Sequence, residues 1–154
     1  MALIYLVRHG DALPAAAHPD RPLSVAGREA VEEIARLAKK RNVKVAAIYH
    51  SGILRAQETA EILARHLSPA GGVATRSGLL PEDDPAILKA ELDLEDRWIM
   101  IVGHLPYLNR CVGLLVAADP NRVVVDFPPA TMVCCSDGGG GKWEIAWKIE
   151  PTHD

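Results

Sequence analysis

Three short segments of the sequence carry side chains that could handle a phosphoryl group. They are Arg8-His9-Gly10, Ser51 with Arg55 four residues later, and Gly103-His104. Histidine acts as a nucleophile or a proton carrier near neutral pH, and arginine offers a planar fork of donors that fits phosphate. Two guanidiniums could hold a phosphoryl group while one imidazole attacks it and the other donates to an equatorial oxygen.

Each of these segments follows a run of apolar and β-branched residues that predicts a buried strand. The runs are residues 3–7, 45–49 and 98–102. Ligands of parallel α/β sheets bind beyond the carboxyl ends of the strands, so we expect the three segments to meet there. Ser51, Arg55 and Thr59 follow one another at helical spacing, which would add the positive end of a helix to an anion site.

The segments between and after these strands predict the fold class. Residues 24–39, 53–67, 84–92 and 106–116 have helical character, with Ser24 and Asp84 as N-caps. Residues 123–127, 131–135 and 143–149 predict further strands, the last two joined by a glycine-rich turn. We therefore predict an α/β three-layer sandwich, with a mostly parallel central sheet flanked by helices and antiparallel C-terminal strands, as one domain over residues 1–154.

Composition narrows the classes of partner and the compartment. The chain has 154 residues, 49% of them hydrophobic, and a net charge of −3 without a block of basic residues. We therefore expect neither nucleic acid nor a membrane as the main partner. The sequence has no stretch long enough to span a bilayer and no signal-type N-terminus, which predicts a cytoplasmic protein.

The cysteines and histidines do not form patterns known for disulfides, thiol catalysis or metals. The three cysteines are odd in number, and none has an arginine six positions later, so sulfur is not the expected nucleophile. The six histidines lack His-x3-His spacing, and the cysteines lack Cys-x2-Cys spacing. We expect no metal and no cofactor.

The motifs Arg8-His9-Gly10, Ser51-x3-Arg55-Ala56-x2-Thr59 and Gly103-His104-x-Pro106, in this order, resemble the histidine phosphatase superfamily, which is phosphoglycerate mutase-like. Its members form a phosphohistidine intermediate. The finer pattern around Asp11-Ala12 and Asp20-Arg21-Pro22-Leu23-Ser24 resembles the small SixA-type phosphohistidine phosphatases of signal transduction. The sequence departs from the family at Gly52, because proline often follows the serine there.

The resemblance implies a role for each motif residue. His9 would be the nucleophile, Arg8 and Arg55 the phosphate clamps, and His104 the partner of the transition state. Arg21 and Ser51 would be secondary substrate-binding residues. We further expect Arg8 and Arg55 to lower the pKa of His9, since a neutral imidazole is needed for attack.

The short stretch between Arg55 and His104 bears on the substrate. A phosphate ester expels an alkoxide that needs a general acid, whereas phosphohistidine expels an imidazole that is easily protonated. A chain without room for a large lid should leave its pocket open to a macromolecule. The expected partner is thus a phosphohistidine-bearing protein, such as a histidine-containing phosphotransfer domain or a phosphocarrier.

Other interpretations stay open at this stage. Glu82, Asp83 or Asp84 could supply an acid, which would make the chain a broad phosphomonoesterase acting on small esters, and a third alternative is a non-catalytic phosphate-binding signalling module. Single residues also have simpler explanations. These are a helix N-cap for Ser51, an ion pair of Arg21 with Asp11 or Asp20, a surface ion pair of Arg55 with Glu58 or Glu61, helix packing for Thr59 and solvent exposure for His50.

Overall fold

The computed structural model of the protein describes residues 2–138 and 140–152. Predictions for His153 as a tail residue and for Gly139 in the glycine-rich turn lie outside the described residues. Within the described ranges, six strands and four helices are formed. The strands are β1 (Leu3–Arg8), β2 (Ala47–His50), β3 (Val73–Thr75), β4 (Ile99–Gly103), β5 (Met132–Ser136) and β6 (Glu144–Ile149). The helices are α1 (Val25–Lys40), α2 (Leu54–Leu67), α3 (Pro85–Leu92) and α4 (Tyr107–Ala117).

The strands form one sheet in the order β3-β2-β4-β1-β5-β6. The first four run parallel, and β5 and β6 are antiparallel to their neighbours, as predicted. The carboxyl ends of β1, β2 and β4 therefore lie along one edge of the sheet. Because β5 runs the other way, its first residue, Met132, pairs with Val7 at that same edge.

Alternating side chains divide the core into two layers. Tyr5 and Val7 belong to the layer that packs against α1 and α2, whereas Ile4 and Leu6 belong to the layer that packs against α3 and α4. This arrangement confirms the predicted three-layer sandwich. In the part of the chain that the structure describes, no helix combines the length and apolarity needed to cross a bilayer.

Two predicted helix starts are confirmed by their caps. The Ser24 hydroxyl accepts a hydrogen bond from the Gly27 N–H at 2.9 Å, and the Asp84 carboxylate accepts one from the Ala86 N–H at 2.9 Å. Gly27 also allows a close approach, because a Cβ there would overlap the carbonyl oxygen of Asp11. The first turn of α1 thus packs directly on the loop that follows β1.

The prediction of a strand at residues 123–127 is wrong. This segment is a loop in which Val123 is 70% exposed and Phe127 is buried. Pro128 and Pro129 follow it, and proline has no N–H to give to a ladder. The sequence also predicts a short strand within residues 73–80, and the structure limits it to β3, because the chain turns at Gly78 with φ +86°.

Candidate active site

His9 follows β1 and is held by its backbone on both sides. Its N–H donates to the Gly103 carbonyl at 3.1 Å, and its carbonyl accepts from the Ala130 N–H at 3.2 Å. The next residue must be small, since a Cβ on Gly10 would lie 2.8 Å from Cγ2 of Val31. The backbone around His9 is therefore held between β4, the loop before β5 and helix α1.

Two contacts assign the proton of the His9 ring. Nδ1 lies 2.7 Å from the Gly10 carbonyl, which can only accept, so Nδ1 carries the hydrogen. Nε2 lies 3.4 Å from Nε of Arg55, and a guanidinium can only donate. Both contacts place the lone pair of the neutral ring on Nε2, the atom that faces Arg55.

His104 lies beside this ring. The sequence predicted this proximity, because His9 and His104 each follow the end of a parallel strand. The two ring centroids are 5.0 Å apart, and the ring planes are inclined by 54°. Nε2 of His104 lies 2.6 Å from the Ser51 hydroxyl, while Nδ1 is buried with no partner among the described residues. Ser51 is not the N-cap of α2, because Ile53 takes that position without a side-chain cap.

The arginines bring positive charge to the two imidazoles. A terminal N–H of Arg8 donates a hydrogen bond to the Phe127 carbonyl at 3.0 Å. The Nε of Arg8 is buried without a partner in residues 2–138 and 140–152. Arg55 faces His9, whereas Glu58 binds Arg28 at 2.6 Å and Glu61 accepts a hydrogen bond from Gln57 at 3.4 Å. The surface ion pair considered for Arg55 is therefore not formed.

Arg21 sits in the loop between β1 and α1 with φ +50°. Its Nε donates to the Leu13 carbonyl at 2.9 Å, and no ion pair joins it to Asp11 or Asp20 within the described chain. Its charge is close enough to lower the pKa of both His9 and Arg55. The structure thus brings Arg21 to the same electropositive cluster.

The site favours neutral imidazoles. Burial is the main cause that lowers the pKa of His9 to about 4, and Arg55, Arg8 and Arg21 add to it against the opposing hydrogen bond to Gly10. Burial, followed by His9, Arg55 and Arg8, lowers the pKa of His104 to about 3. The arginines act in the direction expected from the sequence, but burial has the larger effect.

Thr59 makes hydrogen bonds that sequence reasoning missed. Its side chain is fully buried, and its hydroxyl accepts from the Gly10 N–H at 3.1 Å and donates to the Arg55 carbonyl at 2.8 Å. The signal in the sequence was its position one helical turn after Arg55, on the face that also carries the site.

The prediction that His50 is exposed is wrong. His50 is 4% exposed, because β2 has neighbouring strands on both sides up to this last residue. Its Nδ1 accepts from the Gly52 N–H at 3.0 Å, and burial lowers its pKa. Gly52 has φ +93°, which proline cannot adopt, so this loop differs from one in which proline follows the serine.

The three acidic candidates lie in the loop before α3. Asp83 accepts from the Leu80 N–H at 2.8 Å, and Asp84 caps α3. Glu82 is exposed. Two of the three carboxylates therefore organise their own loop.

The loop before β5 contributes backbone groups that the sequence did not reveal. The Phe127 carbonyl holds Arg8, and the Ala130 N–H holds the carbonyl of His9. The predicted antiparallel C-terminal strands were the signal for this loop in the sequence. A strand that runs antiparallel to β1 begins at the edge of the sheet where β1 ends, so the loop before it lies at that edge. A groove of about 830 Å³, bordered by Asp11, Pro128 and Ala130, runs from this loop along α1.

Within the described residues, no group of three or more His, Cys, Asp or Glu side chains is arranged to hold a metal ion. The charged groups of the site are suited to an anion, since the charges of Arg8, Arg55 and Arg21 act on His9 and those of Arg8 and Arg55 also act on His104.

Comparison with known proteins identifies similar sequences and similar folds. Residues 4–79 match the histidine phosphatase superfamily (branch 1). The phosphohistidine phosphatase SixA of Escherichia coli (strain K12) is 26% identical over 155 residues, which cover 97% of this chain and 94% of that protein. The structure of the protein histidine phosphatase SixA complexed with tungstate matches with a TM-score of 0.83 at 25% identity, over 97% of each chain. A phosphoserine phosphatase from Entamoeba histolytica in complex with 3-phosphoglyceric acid shares the fold, with a TM-score of 0.75 at 17% identity over 99% of each chain.

Proposed function

Because residues 4–79 match the histidine phosphatase superfamily and the chain is similar to SixA proteins, we propose that it hydrolyses phosphohistidine on a partner protein through a covalent phospho-His9 intermediate. The observation that carries this proposal is the lone pair on Nε2 of a neutral His9, 3.4 Å from Nε of Arg55. A nucleophile that shares its pocket with a donor for the phosphoryl oxygens has both parts that phosphoryl transfer needs.

In the first step, Nε2 of His9 attacks phosphorus and forms the new P–N bond. The P–N bond of the substrate breaks and its electron pair stays on the ring nitrogen. The substrate ring carries a proton on its other nitrogen, so it leaves as neutral imidazole. Arg8 and Arg55 bind the equatorial oxygens, and His104 donates to them as charge develops. Ser51 and Arg21 bind the phosphoryl group at the margin of the site.

In the second step, water attacks the phosphorus of phospho-His9. The bond to Nε2 breaks, phosphate leaves, and the neutral ring with hydrogen on Nδ1 is restored. Neither step needs a strong general acid or a metal, because both leaving groups are imidazoles with near-neutral basicity.

A phosphoprotein is the proposed substrate because of the relatives and the leaving group. The similar proteins include SixA phosphatases that match over 97% of this chain, one of them solved with tungstate, a tetrahedral oxyanion with the shape of phosphate. Two of the three carboxylates that could protonate an alkoxide, Asp83 and Asp84, are engaged in local hydrogen bonds. A phosphotransfer domain or phosphocarrier in the cytoplasm would suit this chemistry.

The test compares wild type with His9→Ala in single turnovers. The substrates are a phosphocarrier protein phosphorylated on histidine and an aryl phosphate, with an alkaline quench that preserves phosphohistidine and mass spectrometry to locate the label. His18→Ala is the matched control, because His18 is exposed in the loop before α1.

We expect label on His9 in wild type and in His18→Ala, none in His9→Ala, and faster turnover of the phosphoprotein. Faster turnover of the aryl phosphate would indicate the phosphomonoesterase instead. Binding of phosphate or vanadate without turnover of either substrate would indicate the signalling module.

A further inference from the structure

A buried hydroxyl connects the helix that carries Arg55 to the loop that carries the nucleophile. Thr59 lies in α2 with no exposed surface. Its hydroxyl donates its single proton to the Arg55 carbonyl at 2.8 Å, so its lone pairs are left to accept the Gly10 N–H at 3.1 Å. One side chain thus joins the backbone of Arg55 to that of Gly10.

Gly10 transmits this restraint to the ring of His9. The residue whose N–H is held by Thr59 is also the one whose carbonyl accepts from Nδ1 of His9 at 2.7 Å. Glycine has the largest conformational freedom of all residues, so its carbonyl direction depends on what holds its neighbouring atoms. The N–H and the carbonyl of Gly10 lie in successive peptide planes that meet at its Cα. Fixing the first plane leaves only φ and ψ of Gly10 to turn the carbonyl away from Nδ1.

We propose that Thr59 is a positioning residue that keeps the hydrogen of His9 on Nδ1 and the lone pair on Nε2, by holding the Gly10 peptide. The inference rests on the proposed function, because Nε2 is the atom that attacks phosphorus there. A ring with its hydrogen on Nε2 has no lone pair to offer at that position. Removal of the hydroxyl would also leave the buried N–H of Gly10 without a partner.

The first experiment separates the hydroxyl from the shape of the side chain. Thr59→Val keeps the branched shape and removes the hydroxyl, whereas Thr59→Ser keeps the hydroxyl. We expect Thr59→Val to lower kcat for the phosphoprotein about tenfold, because fewer His9 rings then offer a lone pair on Nε2, with KM changed less than about twofold. Thr59→Ser should keep kcat within about threefold of wild type, because the hydrogen bonds remain.

Thr131→Val is the matched control. Thr131 is fully buried near the site, and its hydroxyl has no partner among the described residues. Its contact with Arg8 is made by the backbone carbonyl and survives the substitution. We expect Thr131→Val to leave kcat unchanged, although it removes a buried hydroxyl just as Thr59→Val does.

The second experiment detects directly which nitrogen of the His9 ring carries the hydrogen. In ¹⁵N NMR spectra of the His9 ring at pH 7, we expect hydrogen on Nδ1 in wild type, Thr59→Ser and Thr131→Val, and a mixture that includes hydrogen on Nε2 in Thr59→Val. This measurement needs folded protein and no turnover. If wild type lacked phosphatase activity while the mixture appeared in Thr59→Val, the proposed function would fail and the positioning of His9 would stand.

Two results would overturn the proposal. One is a Thr59→Val variant in which kcat is unchanged and the hydrogen of the His9 ring is still on Nδ1. The other is an equal loss of kcat and Tm in Thr59→Val and Thr59→Ser, which would show a packing role alone. If Thr59→Val does not fold, Thr59→Cys replaces it, because a thiol at the position of the hydroxyl forms only weak hydrogen bonds. Equal kcat and equal ring spectra in Thr59→Cys and Thr59→Ser would then refute the proposal.

Discussion

The hydroxyl oxygen of Ser51 lies 2.6 Å from Nε2 of His104, across the gap between the ends of β2 and β4. The same hydroxyl accepts a weaker contact from the Ile53 N–H at 3.3 Å. Ser51 thereby orients the second imidazole of the site through the ring atom nearest to it. A serine just after a strand, which could have been a helix cap, instead contacts the imidazole of His104.

We predict that Ser51→Ala weakens the binding of vanadate about fivefold, since one net hydrogen bond is worth about 1 kcal/mol. The reason is that the variant loses both a proposed anion contact and the group that orients His104. Equilibrium titration with vanadate measures the change. Ser77→Ala, in an exposed turn, is the control. Tighter binding in Ser51→Ala would instead mean that the hydroxyl competes with the anion for His104.

The His9 ring should titrate far below the free value of histidine. With its pKa lowered from 6.5 to about 4, the ring is neutral and nucleophilic throughout the neutral range. We expect kcat/KM to lose no activity from protonation of His9 until the pH approaches that value. NMR titration of the ring provides the direct measurement, and a pKa at or above 6.5 would contradict the proposed protonation state.

The same shifts predict an acid dependence of stability. Between pH 6.5 and about 4, the unfolded chain takes up a proton on His9 whereas the folded chain does not. The free energy of unfolding should therefore fall as the pH falls through this window, and His104, with a pKa lowered to about 3, adds to the effect. Urea unfolding of wild type and His9→Ala at several pH values tests this, because the variant should lose less stability on acidification. Parallel curves would argue against it.

Arg55 should act through its geometry as well as its charge. We predict that Arg55→Gln lowers kcat/KM about a hundredfold, the scale for losing one donor to developing charge. Arg55→Lys should fall between this variant and wild type, because an ammonium keeps the charge but lacks the planar fork. Steady-state kinetics on the phosphoprotein gives the values.

Arg65→Gln provides the control for Arg55 on the same helix. The Arg65 side chain is 67% exposed and pairs with Glu32 at 3.2 Å. Its replacement should change kcat/KM by less than about twofold, as for an ordinary surface substitution. A similar loss in both variants would attribute the effect of Arg55 to α2 as a whole.

Gly27 should be essential for the packing of α1 on the active-site loop. A Cβ at this position would overlap the carbonyl oxygen of Asp11, so Gly27→Ala should destabilise the protein by about 1–3 kcal/mol. Gly140→Ala is the control, because no atom lies within 4 Å of the Cβ it would add. Thermal unfolding gives the Tm of each variant. Equal Tm values would show that the loop accommodates the added Cβ without loss of stability.

Local sequence was sufficient for the features that depend on neighbours along the chain. The apolar runs before Arg8, His50 and Gly103 predicted the parallel strands, since a buried strand needs such a run whatever surrounds it. The caps at Ser24 and Asp84 were predictable for the same reason, because a cap involves the next two or three residues only.

Features that depend on distant segments could not be predicted in this way. His50 is buried because β2 has a neighbouring strand on each side. The loop at residues 123–130 supplies backbone groups that bind Arg8 and His9, so its conformation depends on residues that are distant in the sequence. The extent to which burial lowers the pKa of His9 likewise depends on the whole surrounding core.

The sequence by itself therefore determined which residues could hold and attack a phosphoryl group, since residue type and spacing are local properties. Only the tertiary structure decided which atom of His9 carries its lone pair. That choice depends on the Gly10 carbonyl and on Arg55, and these two residues are joined by the hydroxyl of Thr59, which lies 49 positions after Gly10 in the chain. Hydrogen-bond direction is set by contacts in space, which no pattern along the chain records.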